Sequence, residues 1–193
     1  MTQRYGLVID LERCIGCHTC TMACKVEHGI ETGSGIRVET VGGPHPDTPA
    51  GTFPDLSMYY LPIPCMHCAD PPCREACKAE AIVRREDGIV FVDESKCNGC
   101  GECLAACPYG ALFYDEDRHA ARKCDLCRER LDEGFEPFCA VCCPEEAIRI
   151  GDLNDRSGAL IRAIKERKGY TLKPERKTGA AVYYLPPLPR RKA

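Results

Sequence analysis

Tryptophan is absent from this sequence of 193 residues, and aromatic residues make up only 7% of it. The hydrophobic fraction is 44%, but 17 cysteines are counted in it. Without them the share falls to roughly 35%, below the usual apolar fraction. Such a chain can form one or two small domains, and their cores will be thin. Something besides apolar burial must hold them together. No apolar run approaches the roughly 20 residues that a membrane span needs. Gly88-Ile89-Val90-Phe91-Val92 is a representative stretch, so direct membrane insertion is not expected. No signal peptide and no twin-arginine pair stand at the start, where Met1-Thr2-Gln3-Arg4-Tyr5 leads into a short strand. Neither sign of charge dominates, with 26 basic and 29 acidic residues and a net charge of -3. A dedicated nucleic-acid binder would show a basic excess, so nucleic acid is not an expected partner.

What the chain has in abundance is cysteine, arranged in four groups. Cys14, Cys17, Cys20 and Cys24 form the first, and Cys65, Cys68, Cys73 and Cys77 the second. Cys97, Cys100, Cys103 and Cys107 form the third, and Cys124, Cys127, Cys139 and Cys143 the fourth, with Cys142 left over. Groups one and three read C-x2-C-x2-C-x3-C, the bacterial ferredoxin spacing. A loop with a cysteine at every third residue can wrap three corners of a cubane cluster. The fourth cysteine leads away on a helix and ligates the other cluster of a two-cluster domain. Proline follows Cys107 and Cys143, as that geometry favours. Groups two and four keep the same grammar with insertions, C-x2-C-x4-C-x3-C and C-x2-C-x11-C-x3-C. The sixteen cysteines suffice for four [4Fe-4S] clusters. The step from Cys139 and the following Pro144 favour Cys143 over Cys142 as the last ligand, which leaves Cys142 as a spare thiol.

Disulfides would need an oxidising compartment, for which no export signal is seen. Zinc favours two isolated CxxC pairs in one tetrahedral site. Quartets that end in an x3 step and exchange ligands do not fit that pattern.

Each ferredoxin unit should read strand, cysteine loop, short helix, strand. The strand candidates are Tyr5 to Asp10 before group one and Gly88 to Val92 before group three. Ala81 to Val83, Ala111 to Tyr114 and Ala147 to Ile150 would follow groups two, three and four. The expected fold class is α+β, with two ferredoxin-like two-cluster domains, one inserted in the other. Residues 63–119 would form the inserted domain, and residues 1–62 plus 120–151 the discontinuous one. Ligand exchange within each domain assigns four sets: Cys14, Cys17, Cys20 and Cys143; Cys24, Cys124, Cys127 and Cys139; Cys65, Cys68, Cys73 and Cys107; Cys77, Cys97, Cys100 and Cys103. Residues 29–62, rich in Gly, Pro and Thr, read as a long loop with little regular structure, functional or bound to a partner. Residues 152–193 read as one helix over Asp155 to Lys168, carrying Leu160, Ile161 and Ile164 on one face, then an extended stretch. That stretch is either disordered or a partner-binding arm, and its Val182-Tyr183-Tyr184-Leu185 run favours the arm.

The sequence resembles the four-cluster iron–sulfur subunit of the dimethyl sulfoxide reductase class of molybdenum or tungsten oxidoreductases. Beyond the cysteines, the resemblance rests on Val8-Ile9-Asp10, Ala23-Cys24-Lys25, Gly51-Thr52-Phe53-Pro54-Asp55, and Arg130, Gly134 and Pro137. Lys78 departs from the family, whose members usually carry proline after that cysteine. The resemblance implies a large molybdopterin-containing catalytic subunit as partner. It also implies a membrane anchor subunit that reacts with quinone, or a soluble carrier. The clusters would relay single electrons between them, and the chain would have no catalytic site of its own. Location would be cytoplasmic, or exported folded with a partner that carries the signal. The alternative is a free-standing polyferredoxin. His67, between Cys65 and Cys68, reads as a hydrogen-bond donor near a sulfur rather than a ligand. Lys25, Lys96, Lys123 and Arg128 are candidates to offset cluster charge, or plain surface cations.

Overall fold

The computed structural model describes residues 3–188. Its elements, in chain order, are β1 (Tyr5–Asp10), α1 (Thr19–His28), β2 (Ile36–Val41), β3 (Ala50–Thr52), β4 (Asp55–Ser57), β5 (Tyr59–Pro64), α2 (Pro72–Glu75), β6 (Ile82–Arg84), β7 (Val90–Val92), α3 (Glu102–Ala106), β8 (Leu112–Asp115), β9 (Ala120–Lys123), α4 (Arg128–Asp132), α5 (Phe138–Val141), β10 (Ile148–Asp152), α6 (Ala159–Glu166) and β11 (Val182–Leu185). The chain is a mixed α+β protein of short elements, which among the described residues form one three-stranded sheet and four two-stranded ribbons.

In the three-stranded sheet β1 is central, antiparallel to β10 and parallel to β11. A strand covered on both faces reads as a continuous apolar run, which accounts for Leu7-Val8-Ile9. Strand alternation sends Leu7 and Ile9 into the main core and Val8 to the other side, against Leu160 of α6 and Leu185. The helix expected over 155–168 exists in shorter form as α6, and its Leu160 covers the far face of the sheet. The main core also contains Cys20, Cys24, Cys65, Cys68 and Cys139. Sulfur fills much of the interior that apolar side chains leave open.

Two expectations are corrected. Residues 29–62 are not a structureless loop. β2 pairs with β5 over six residues each, and β3 and β4 form a hairpin between them. Pro62 and Pro64 disguise β5, because proline lacks a ladder donor. A two-stranded ribbon leaves each strand one free edge, which tolerates it. Nor is the tail an extended arm standing off the body. Val182, Tyr184 and Leu185 are at most 1% exposed because β11 completes the sheet beside β1. Their apolar character comes from burial within this chain. The basic segment from Pro189 onward lies outside the described residues.

The tail also straps the second cysteine loop. The amides of Ala69 and Asp70 donate to Gly179 and Thr178, and that of Ala181 donates to Met66. Among the described residues no helix is long and apolar enough to cross a membrane.

Candidate metal centre

The four first-cysteine loops share one backbone device. The residue two positions after the leading cysteine is left-handed in every group: Gly16 (φ 69°), His67 (φ 43°), Gly99 (φ 72°) and Leu126 (φ 60°). This turns amides back on the leading sulfur. The His67 amide donates to Cys65 Sγ at 3.4 Å and the Leu126 amide to Cys124 Sγ at 3.5 Å. Glycine adopts this conformation freely, whereas His67 and Leu126 hold it at some cost. At the other end of three groups an alanine amide caps the last sulfur. Ala81 donates to Cys77 at 3.3 Å, Ala111 to Cys107 at 3.5 Å and Ala147 to Cys143 at 3.3 Å. Amide bonds of this kind favour thiolate over thiol.

Tertiary folding gathers the cysteines into sets of four. Cys14, Cys17, Cys20 and Cys143 line one small cavity together with Val38 and Pro62 of the β2–β5 ribbon. Cys65, Cys68, Cys73 and Cys107 line a second. Cys77, Cys97, Cys100 and Cys103 line a third. Cys124 lies within electrostatic reach of Cys24 and Cys139, and Cys127 of Cys24. These last four form a deeper set. Cys142 lines none of the three cavities; it ends α5, where its amide donates to Phe138.

Adjacency also orders the sets. Cys20 of the first set and Cys24 of the deep set are one turn apart on α1, and Cys20 acts electrostatically on Cys139. Cys124 of the deep set feels Cys65. The α2 and α3 segments link the set containing Cys65 to the set containing Cys77, since Cys73 and Cys103 share one small core. The two exposed cysteines, Cys17 and Cys100, belong to the two terminal sets.

Burial raises most of these thiols. Those of Cys20, Cys68 and Cys103 are pushed up to about 11, and those of Cys73 and Cys127 to about 12. Cys17 goes the other way, lowered by hydrogen bonding to the Thr19 side chain and amide. Crowded, desolvated thiols of this kind are poor sites for bare thiolates and good ones for a cationic iron–sulfur core that takes up their charge. The Gly35 position agrees. A Cβ there would come within 2.9 Å of Cys24 Sγ and 3.1 Å of the Cys124 backbone. His67 agrees as well. Its Nδ1 accepts from the Val90 amide at 3.0 Å, while its fully buried Nε2 has no partner among the described residues. Burial, then the charge of Lys123, holds its pKa well below the ordinary value. A neutral ring with an unpaired N–H beside Cys65 and Cys68 suits a group that supplies sulfide acceptors.

The four candidate cations separate. Lys25 donates to the carbonyls of Glu31 and Gly33, and Lys96 pairs with Asp93. Arg128 pairs with Asp125 and lies over the Phe91 ring. Lys123 donates to Cys65 Sγ at 3.3 Å. Two polar neighbours escaped the sequence reading. His28 Nε2 lies 3.3 Å from Cys127 Sγ, and its position one turn after Cys24 on α1 was a visible signal. Thr178 hydrogen-bonds Tyr109 at 2.8 Å and Cys68, from a tail position that no spacing announces.

Comparison with known proteins agrees with this geometry. Residues 56–153 match the 4Fe-4S dicluster domain family, and residues 5–26 a 4Fe-4S binding domain. One subunit of the anaerobic dimethyl sulfoxide reductase of Escherichia coli is 38% identical, over 96% of this chain and 97% of its own length. One subunit of the tetrathionate reductase of Salmonella typhimurium is 38% identical, over 94% of this chain and 72% of its own. One subunit of the sulfite dehydrogenase of Allochromatium vinosum is 38% identical, over 96% and 84%. Identity at this level across nearly the whole chain, together with the cysteine geometry, is decisive: this protein belongs to the family of [4Fe-4S] iron–sulfur subunits of dimethyl sulfoxide and tetrathionate reductases.

Proposed function

We propose that this chain is the electron-transfer subunit of an oxidoreductase complex and has no catalytic site of its own. The four cysteine sets would each hold one [4Fe-4S] cluster, with the ligands as grouped above and Cys142 outside them. When bound, the clusters supply one-electron carriers. The protein's own residues hold the thiolates, exclude water and fix the order of the sites. The carrying observation is that order: two shielded sets between two terminal sets, each with one exposed cysteine, Cys17 and Cys100. A relay needs an entry and an exit at different places, and the arrangement supplies both.

The β1–β10 pairing and the two-helix link between groups two and three support two ferredoxin-like domains, with 63–119 inserted between 1–62 and 120–151. The main core runs through both. The relatives' names make them subunits of larger enzymes, which supports a catalytic partner here, one carrying a molybdenum or tungsten pterin. A membrane anchor subunit that meets quinone is the proposed second partner, and membrane association would come through it.

Anaerobic purification from the native host tests this reading. A larger companion containing molybdenum or tungsten is the expected result. Iron-loaded protein without a companion would instead identify a free-standing polyferredoxin.

A further inference from the structure

The two halves of the relay are joined differently from the sites within each half. Within a half, neighbouring sets share helices: α1 carries both Cys20 and Cys24, and the segment from α2 carries both Cys73 and Cys77. Between the halves no shared helix bridges Cys24, Cys124, Cys127 and Cys139 to Cys65, Cys68, Cys73 and Cys107. What lies there is Lys123. It ends β9, immediately before Cys124, while Cys65 immediately follows β5. Its partly buried Nζ donates to Cys65 Sγ at 3.3 Å, to the Cys124 carbonyl at 2.9 Å, and to the Val90 carbonyl. Its charge also reaches Cys73.

Three donor bonds, one to β7 and two to the leading cysteines of two loops, fix the ammonium in one place. Each cluster gains one negative charge on reduction, so a fixed cation nearby favours the reduced form. Partial burial keeps that attraction from being screened as it would be at the surface. Resting on the relay reading, we infer that Lys123 is a shared tuning charge at the junction. It raises the reduction potentials of the two central sites together and leaves the two terminal sites unaffected. Because the two central sites move together, the driving force of the step between them is unchanged, and what Lys123 sets is the potential of the central pair relative to the two terminal sites.

The test is an anaerobic redox titration of the holoprotein followed by EPR, comparing wild type, Lys123→Met and Lys123→Arg. In Lys123→Met two of the four midpoints should move to lower potential while two stay. Lys123→Arg keeps the charge and should leave all four near wild type. Four unchanged midpoints in Lys123→Met, or a uniform shift of all four, would overturn the proposal. If Lys123→Met fails to retain iron, wild-type protein labelled with ¹⁵N at lysine Nζ carries the test. Pulsed EPR of the reduced protein should show a ¹⁵N coupling that disappears in Lys123→Arg, and no coupling would overturn the proposal. Wild-type protein without [4Fe-4S] signals would be a different outcome, one that sinks the relay reading itself.

Discussion

The hydroxyl of Tyr184 donates to the carbonyl of Pro62 at 2.8 Å, inside the protein and across 122 positions of sequence. This bond ties the last strand to the ribbon that delivers Cys65. Burial pushes the phenol far above its ordinary pKa, so it remains a donor at any working pH. Tyr184→Phe removes the donor and strands a buried carbonyl, at about 1–3 kcal/mol. Tyr184→Ala adds a cavity and should cost about 3–5 kcal/mol. Thermal unfolding of anaerobic holoprotein should rank the two in that order.

Removing residues 170–193 takes away β11 and the bonds from Ala69, Asp70 and Ala181. The set of Cys65, Cys68, Cys73 and Cys107 should be the first to lose iron, with a corresponding loss of EPR signal. Full iron retention in the truncated chain would show that the strap is dispensable.

Arg122 and Asp115 form a partly buried pair at 2.9 Å, and Arg122 also donates to the His28 carbonyl at 2.9 Å. Arg122→Met leaves the Asp115 carboxylate with the Arg118 amide as a donor but without its paired cation, and should destabilise the fold by about 1–3 kcal/mol. Adding Asp115→Asn should restore much of it, and a double-mutant cycle reads the coupling. The bond to Arg122 holds the Asp115 carboxyl below its ordinary range. Its stabilisation is therefore present above the unfolded pKa and lost as pH falls through the folded one. The Asp115→Asn single variant should show a shallower loss of stability in acid.

Gly35→Ala places a methyl group 2.9 Å from Cys24 Sγ. The neighbours at 3.1 Å are backbone atoms of Cys124, which cannot swing away. Iron should fall by about a quarter, from about 16 to about 12 per chain. An unchanged iron content would show that the deep set tolerates displacement of Cys24.

Cys142→Ala should keep all four clusters, because Cys142 lines none of the three cavities. Cys143→Ala removes a thiol lining the cavity of Cys14, Cys17 and Cys20 and should lose that cluster. The reverse result, read by iron content, would exchange the two assignments.

The sequence disclosed the chemistry more readily than the packing. Cysteine spacing is set by the local wrapping of a loop, so the four groups could be read directly. The left-handed residue that each loop demands is supplied by Gly16 and Gly99 in two groups and, less obviously, by His67 and Leu126 in the others. β1 showed itself as an apolar run, but not that Val182–Leu185 would lie beside it, because parallel pairing across 175 positions leaves no local mark. β5 was hidden by Pro62 and Pro64. Lys123 stood among four candidate cations that composition could not separate. Only the meeting of the ends of β5 and β9 singles it out.

The central claim is that sixteen cysteines hold four cubane clusters. Iron and acid-labile sulfide should be measured on anaerobically prepared protein, with EPR of the fully reduced state. The account predicts about 16 of each per chain, with the broadened spectrum of neighbouring reduced clusters. Zinc in place of iron, or about half that iron with a single isolated pair of clusters, would contradict it.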